Sequence, residues 1–274
     1  MKRIPLITIC LLLTGVMGIA QAKKQLPSRP TVAKSGGPKS GVKKYGSTDC
    51  NNPSQLLQDG LALGAPDFIG ASTTNYYGGY FLAGHSYTAE VWDPYDADTG
   101  IYPNLALLSG CATGPSYSDV FNADPVLYYT FTDRISWISP TTDFYQVALP
   151  NTDTKNGYNY FIRITDTTLH NPRWSTFSGF ITQYALVNNT NIDISGTLTL
   201  TDSSGTQFTT SITIPAGTES FQTTGGLGVP ANDFGFADFA FIGPAGGIIA
   251  DAYFINSSAT VIVPSTFAPR NYQH

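Results

Sequence analysis

No established catalytic signature stands in this sequence. There is no H-E-x-x-H, no G-x-S-x-G and no Cys-His pairing of nucleophile type. The chain has only three histidines in 274 residues, His85, His170 and the terminal His274. Helical patterning is almost as scarce, so an α or α/β fold is not expected. Cysteine is rare too, at three residues, which excludes a disulfide-dense scaffold. After residue 22 no stretch approaches the roughly 20 apolar residues of a membrane-spanning helix, so no membrane span is expected. Basic residues are few outside one segment. That distribution argues against a nucleic-acid partner.

The charge arithmetic follows from the chain's beginning. Residues 1–22 have a basic start (Lys2, Arg3), the apolar run IPLITICLLLTGVMGIA and the small-residue ending Ala20-Gln21-Ala22, the layout of a secretory signal peptide. Cys10 lies inside that run and does not end a lipoprotein signal. The expected protein is therefore secreted or held at the cell surface. Residues 23–45 open with KKQLPSRPTVAKSGGPKSGVKK, which carries seven basic residues and no acid. They read as a disordered basic linker. It would act as a spacer, hold the protein to an anionic envelope polymer, or fold back on the body. The body keeps only five basic residues against all 19 acids, a balance of about −14. Nucleic acid and anionic membranes should be repelled by it.

Export leaves two cysteines, Cys50 and Cys111, in an oxidising compartment. Such a pair is usually bridged, with two buried free thiols as the alternative.

The body reads as all-β, with short β-branched and aromatic runs separated by Gly, Pro, Asn, Asp and Ser. Strands are expected at SYTAEVWD (86–93), VLYYTFT (126–132), DFYQVAL (143–149) and YNYFIRIT (158–165), with a chain reversal at Asn156-Gly157. His170-Asn171-Pro172 reads as a turn-like junction. A second set follows: GFITQYALVN, DISGTLTLTD, TQFTTSITI, FADFAFIG, IIADAYFI and TVIVP. Leu198 and Leu200 alternate with threonines, SSG turns the chain and QFTTSITI resumes the alternation. One apolar face and one hydroxyl face suit an antiparallel sheet with one side in water. The fold expected is all-β, two antiparallel β-sandwich domains over 46–170 and 171–274.

YYGGYFLAGHSYTAEVWDPYD, with TTDFYQVALPNTDTKNGYNYFIRITDTT after it, is similar to the bacterial pre-peptidase C-terminal type of β-sandwich. Trp174 to Ala268, with TLTLTDSSGTQFTTSITIPAG, resembles the immunoglobulin-like modules of secreted bacterial proteins. What the resemblance implies is an accessory module of extracellular proteins, usually attached to an enzyme. No peptidase domain accompanies it here.

Three places are candidate sites. WDPYDADTG holds Asp93, Asp96 and Asp98. Counted from Asp96 as an EF-hand, position five is Gly100 and position twelve is Leu107, which rules that loop out. A looser calcium site from the three aspartates is the sharper reading, and a plain turn is the other. TTNYYGGYF places Tyr76, Tyr77, Tyr80 and Phe81 beside two glycines. Such rings suit stacking on a sugar, although a β-sandwich core also consumes many of the 35 aromatics. His85 before Ser86 reads as a turn into a strand rather than a catalytic pair. Trp92, Trp137 and Trp174 read as packing residues, and the sequons at Asn188 and Asn256 as exposed loops. The functional expectation is a non-catalytic adhesion, scaffolding or ligand-display protein acting on an extracellular glycan or protein, without a cofactor unless calcium fills the aspartate loop. A carbohydrate-binding module and a hydrolase with an unrecognised site are the alternatives. Self-association through open strand edges is a further expectation.

Overall fold

The computed structural model describes residues 46–55, 67–92, 106–108, 111, 117–118, 132–256 and 262–269. Residues 1–45, where a signal and a linker are expected, lie outside them, as do Asp93, Asp96, Asp98 and most of the strand expected at 126–132. Among the described residues eighteen strands carry the fold. Ten precede Thr176: β1 (Ser54–Gln55), β2 (Asp67–Ile69), β3 (Thr74–Phe81), β4 (Ser86–Trp92), β5 (Ala106–Leu108), β6 (Tyr117–Ser118), β7 (Thr132–Ile138), β8 (Asp143–Pro150), β9 (Tyr158–Asp166) and β10 (Leu169–Ser175). Eight follow: β11 (Phe180–Asn188), β12 (Ile194–Asp202), β13 (Gln207–Ile214), β14 (Glu219–Thr223), β15 (Phe234–Ile242), β16 (Ile248–Asn256), β17 (Ile262–Thr266) and β18 (Ala268–Pro269).

These strands form four sheets, ordered β1-β3-β8-β5-β6, β2-β9-β4-β7, β13-β12-β15-β10-β18 and β14-β11-β16-β17. Pairing is antiparallel except where Ser54 and Gln55 run parallel along Tyr77 and Gly78. The first two sheets close on one core, where Tyr77, Phe81, Val147 and Leu149 from one sheet meet Tyr87, Val91, Trp137 and Ile162 from the other. The last two close on a second core around Trp174, Tyr184, Leu198, Leu200, Phe239 and Ala252. Each core uses alternate residues of its strands, as the pleat requires. Burying one such large ring stabilises the fold by about 2 to 3 kcal/mol.

Period-two runs therefore became strands. From sequence, His170-Asn171-Pro172 is a turn; in the structure β10 runs through it. The ladder with β15 shifts between Asn171 and Trp174, and at this bulge Pro172 does not interrupt the strand. Asn171, fully buried, donates to Ser265 Oγ at 2.9 Å and Thr266 O at 3.2 Å. The chain does reverse near Asn156-Gly157, but β8 and β9 belong to different sheets, so the loop arches between layers instead of closing a hairpin. Asp153 organises that arch by accepting from Lys155 N, Asn156 Nδ2 and Tyr158 OH.

The two sandwiches meet at Gly243, whose carbonyl accepts from Thr88 Oγ1 at 2.7 Å and Ser136 Oγ at 3.1 Å. Beside these residues on the same outer face of β4, Glu90 is opposite Arg134 on β7 and Arg163 on β9. Arg163 Nε donates to its carboxylate.

Candidate functional site

Strand β3 decides the fate of the three tyrosines. Its inward parity carries Asn75, Tyr77 and Phe81; its outward parity carries Tyr76, Gly78 and Tyr80. Tyr77 is 1% exposed. Its hydroxyl donates to Asp67 Oδ2 and meets Tyr160 OH. That carboxylate oxygen also accepts from Gly46 N at 2.5 Å and Tyr160 OH at 3.1 Å. Burial first, then the neighbouring Tyr160 and Asp67, pushes the Tyr77 hydroxyl far above the ordinary tyrosine range. Tyr77 is thus a core residue that ties β2, β3, β9 and the segment at Gly46 together, and the expectation that it lines a ligand surface is corrected.

Tyr76 and Tyr80 do share the outer face. Four residues apart on one strand, they are separated by roughly 13 Å. Tyr80 is 67% exposed and stands edge-on to Phe144 of β8 at 5.3 Å between ring centres. Tyr76 is half-buried, and its N–H donates to Ser47 O at 2.7 Å. The glycine between them does not open the backbone to a ligand. A Cβ on Gly78 would come within 2.8 Å of Phe144 Cε1 and 2.9 Å of Pro53 Cγ, so the chain's own side chains occupy that space. The disulfide Cys50–Cys111 and a hydrogen bond from Gln146 Nε2 to Cys50 O at 2.9 Å hold this covering segment. What remains on the surface is the aromatic end at Tyr80 and Phe144, beside the partly exposed Leu82.

Phe144 was not legible as a site residue. It lies in DFYQVAL, where Tyr145 and Val147 gave the strand signal, and only the register Tyr80↔Phe144 joins it to Tyr80.

His85 and Ser86 do not form a reacting pair. Adjacent residues of a strand face opposite sides. The His85 ring stacks on Tyr87 two residues on, with ring centres 6.3 Å apart, while Ser86 faces the other way and accepts from Thr167 Oγ1 at 3.0 Å. His85 Nδ1 bonds Asp166 Oδ2 at 2.8 Å, and Thr168 N donates to the other carboxylate oxygen at 2.9 Å. Both Ser86 and Asp166 are buried. The cluster staples the start of β4 to the end of β9.

Among the described residues no group of three His, Cys, Asp or Glu is placed to hold a metal ion; Asp93, Asp96 and Asp98 are not among them. Nor, among the described residues, is any helix long and apolar enough to cross a membrane. Asn188 is another correction, because it is 1% exposed rather than in an open loop. Its amide donates to Ile192 O and Ile214 O, and its carbonyl accepts from Thr190. Trp137 and Trp174 are wholly buried.

On the second sandwich the outer face of β12 and β13 is a hydroxyl ladder. Ser195 pairs with Thr213, Thr197 with Ser211 and Thr199 with Thr209, and the first pair bonds through its hydroxyls at 3.0 Å.

The fold and these surfaces define an all-β sandwich protein with a disulfide. No protein-family model matches the sequence, and no curated protein matches it significantly.

Proposed function

We propose that this is an exported, non-catalytic protein of the bacterial cell exterior that displays a binding surface, with adhesion or scaffolding as its role. The observation that supports it most is the contrast between its reactive groups and its surface. His85, Ser86, Asp67, Asp166 and Glu90 are buried and engaged in framework hydrogen bonds, whereas Tyr80 and the threonine ladder face water. The sequence features of residues 1–22 and the likeness to secreted accessory sandwiches support the same reading. A fold alone does not assign a role.

The ligand class favoured is a glycan, carried by the exposed Tyr80 ring beside Phe144. An aromatic face half in water suits a pyranose ring. Calcium assistance through Asp93, Asp96 and Asp98 belongs to this proposal. A glycan array probed with and without calcium tests it. Binding lost in Tyr80→Ala and kept in Tyr77→Phe supports the reading, and no binding in either condition removes it.

A further inference from the structure

Among the described residues strand β13 is an edge of its sheet, and its own sequence has none of the devices that protect an edge. Natural sheets guard such strands with charge, proline, bulges or shortness. The other described edges have at least one of these. β1 and β6 have two residues each and β2 three; β18 has two and contains Pro269; β17 has Pro264 at its centre; β14 begins with Glu219; β7 contains Asp133 and Arg134. By contrast β13 is the eight-residue run QFTTSITI, without charge or proline. Its register with β12 runs from Ile194↔Ile214 to Thr201↔Gln207 without a shift.

The direction of its free backbone groups can be worked out. Asp202 N donates to Thr206 O at 2.9 Å, and Ser203 N to Phe234 O at 3.0 Å. Hydrogen-bonded and non-hydrogen-bonded pairs alternate along an antiparallel ladder. Even-numbered residues of β13 therefore bond β12. Gln207, Thr209, Ser211 and Thr213 turn their N–H and C=O groups away from it, and all four are exposed.

We propose that β13 is a self-association edge, joining the same strand of a second copy in antiparallel fashion about a two-fold axis at Thr210. In that register Gln207 pairs with Thr213 of the second copy and Thr209 with Ser211 of the second copy, each pair recurring by symmetry. Every outward N–H and C=O of the four residues gains a partner. Shifting the axis to Ser211 would place Gln207 opposite Pro215, which has no N–H to give. The axis at Thr210 also sets Phe208 beside Ile212 of the second copy on the inner face, a favourable cross-strand pair. On the outer face the hydroxyl ladder continues across the seam. The second copy is the occupant favoured because this uncharged strand is complementary to itself, and the proposal is independent of any ligand at Tyr80.

Each chain carries a formal charge of −5, so salt should strengthen the dimer by screening repulsion, whereas it would weaken a complex with a basic partner. The test is sedimentation velocity of the full purified protein over a wide concentration range, with amide exchange of β13. Expected are a monomer–dimer equilibrium favoured by salt and slowed exchange at Thr209 and Ser211 in the dimer. Ser211→Pro, at an N–H that β12 does not use, should weaken the dimer on the order of a hundredfold with Tm nearly kept. Thr209→Lys is the second variant, should the proline unfold the strand. A monomer at all concentrations overturns the proposal, as does a dimer that folded Ser211→Pro or Thr209→Lys leaves intact. Protection of the Thr209 and Ser211 amides that appears only with a different protein bound also overturns it.

Discussion

Replacing Cys50 and Cys111 together by serine removes the disulfide between them, and its cost can be worked out. The two residues are 61 apart. Closing a loop of about 60 residues lowers the unfolded chain's entropy by roughly 14 cal/mol/K, about 4 kcal/mol at 25 °C. The bridge is also local in effect, because it pins the segment that supplies Gly46 N to Asp67, Ser47 to Tyr76 and Pro53 to Gly78. With a urea m-value of about 2 kcal/mol/M, the unfolding midpoint of the first sandwich should fall by roughly 2 M. Amide exchange localises the loss, since β3 and β8 should lose protection before β12 and β15. A midpoint shift under about 0.5 M, or equal loss of protection in both sandwiches, would refute the reasoning.

Tyr77→Phe removes a donor from the buried Asp67 carboxylate and should cost about 1.5 to 3 kcal/mol in denaturant unfolding, while Tyr80→Ala should cost about 1 kcal/mol or less. Hydrogen bonds from Tyr158, Lys155 and Asn156 hold the Asp153 carboxyl at about 2, below its ordinary 3.8. A depressed carboxyl stabilises the fold above its unfolded value and ceases to as pH falls through the folded one. Asp153→Asn should therefore lower Tm at neutral pH, and its gap from wild type should close between about pH 4 and pH 2. Partial burial and the bond to Asp153 raise the Tyr158 hydroxyl to about 12; that contribution is present below pH 10 and lost as pH rises through about 12, visible as a late phenol titration by ultraviolet absorbance. Gly78→Ala should displace Phe144 and Pro53 and destabilise by about 1 to 3 kcal/mol, with a change in the near-ultraviolet spectrum of the Tyr80–Phe144 pair.

The strands of the second sandwich were the most legible part, because TLTLT and TTSITI each separate one apolar from one hydroxyl face. TNYYGGYF was harder. Aromatics stand at both parities, Tyr76 and Tyr80 on one and Tyr77 and Phe81 on the other, so alternation could not say which pair faces the core. What settled it were partners far along the chain, Asp67 and Tyr160 for Tyr77 and Phe144 for Tyr80. The strand TDRISWI at β7 was missed because Asp133, Arg134 and Ser136 interrupt its apolar pattern; the outer face that holds Arg134 and Ser136 is where the sandwiches meet. Pro172 argued for a turn where a bulge accommodates it. In the sequence Cys50 and Cys111 were a candidate pair with free thiols as the alternative; the fold brings them to 5.4 Å between Cα atoms and bridges them.

The most direct test of the account is glycan binding by the wild-type protein and by Tyr80→Ala, measured by calorimetry on hits from the array, with calcium present and chelated. The account predicts binding without turnover of the glycan, lost in Tyr80→Ala while the fold and Tm persist. Binding unaffected by Tyr80→Ala, or release of cleaved sugar from the wild-type protein, would contradict it.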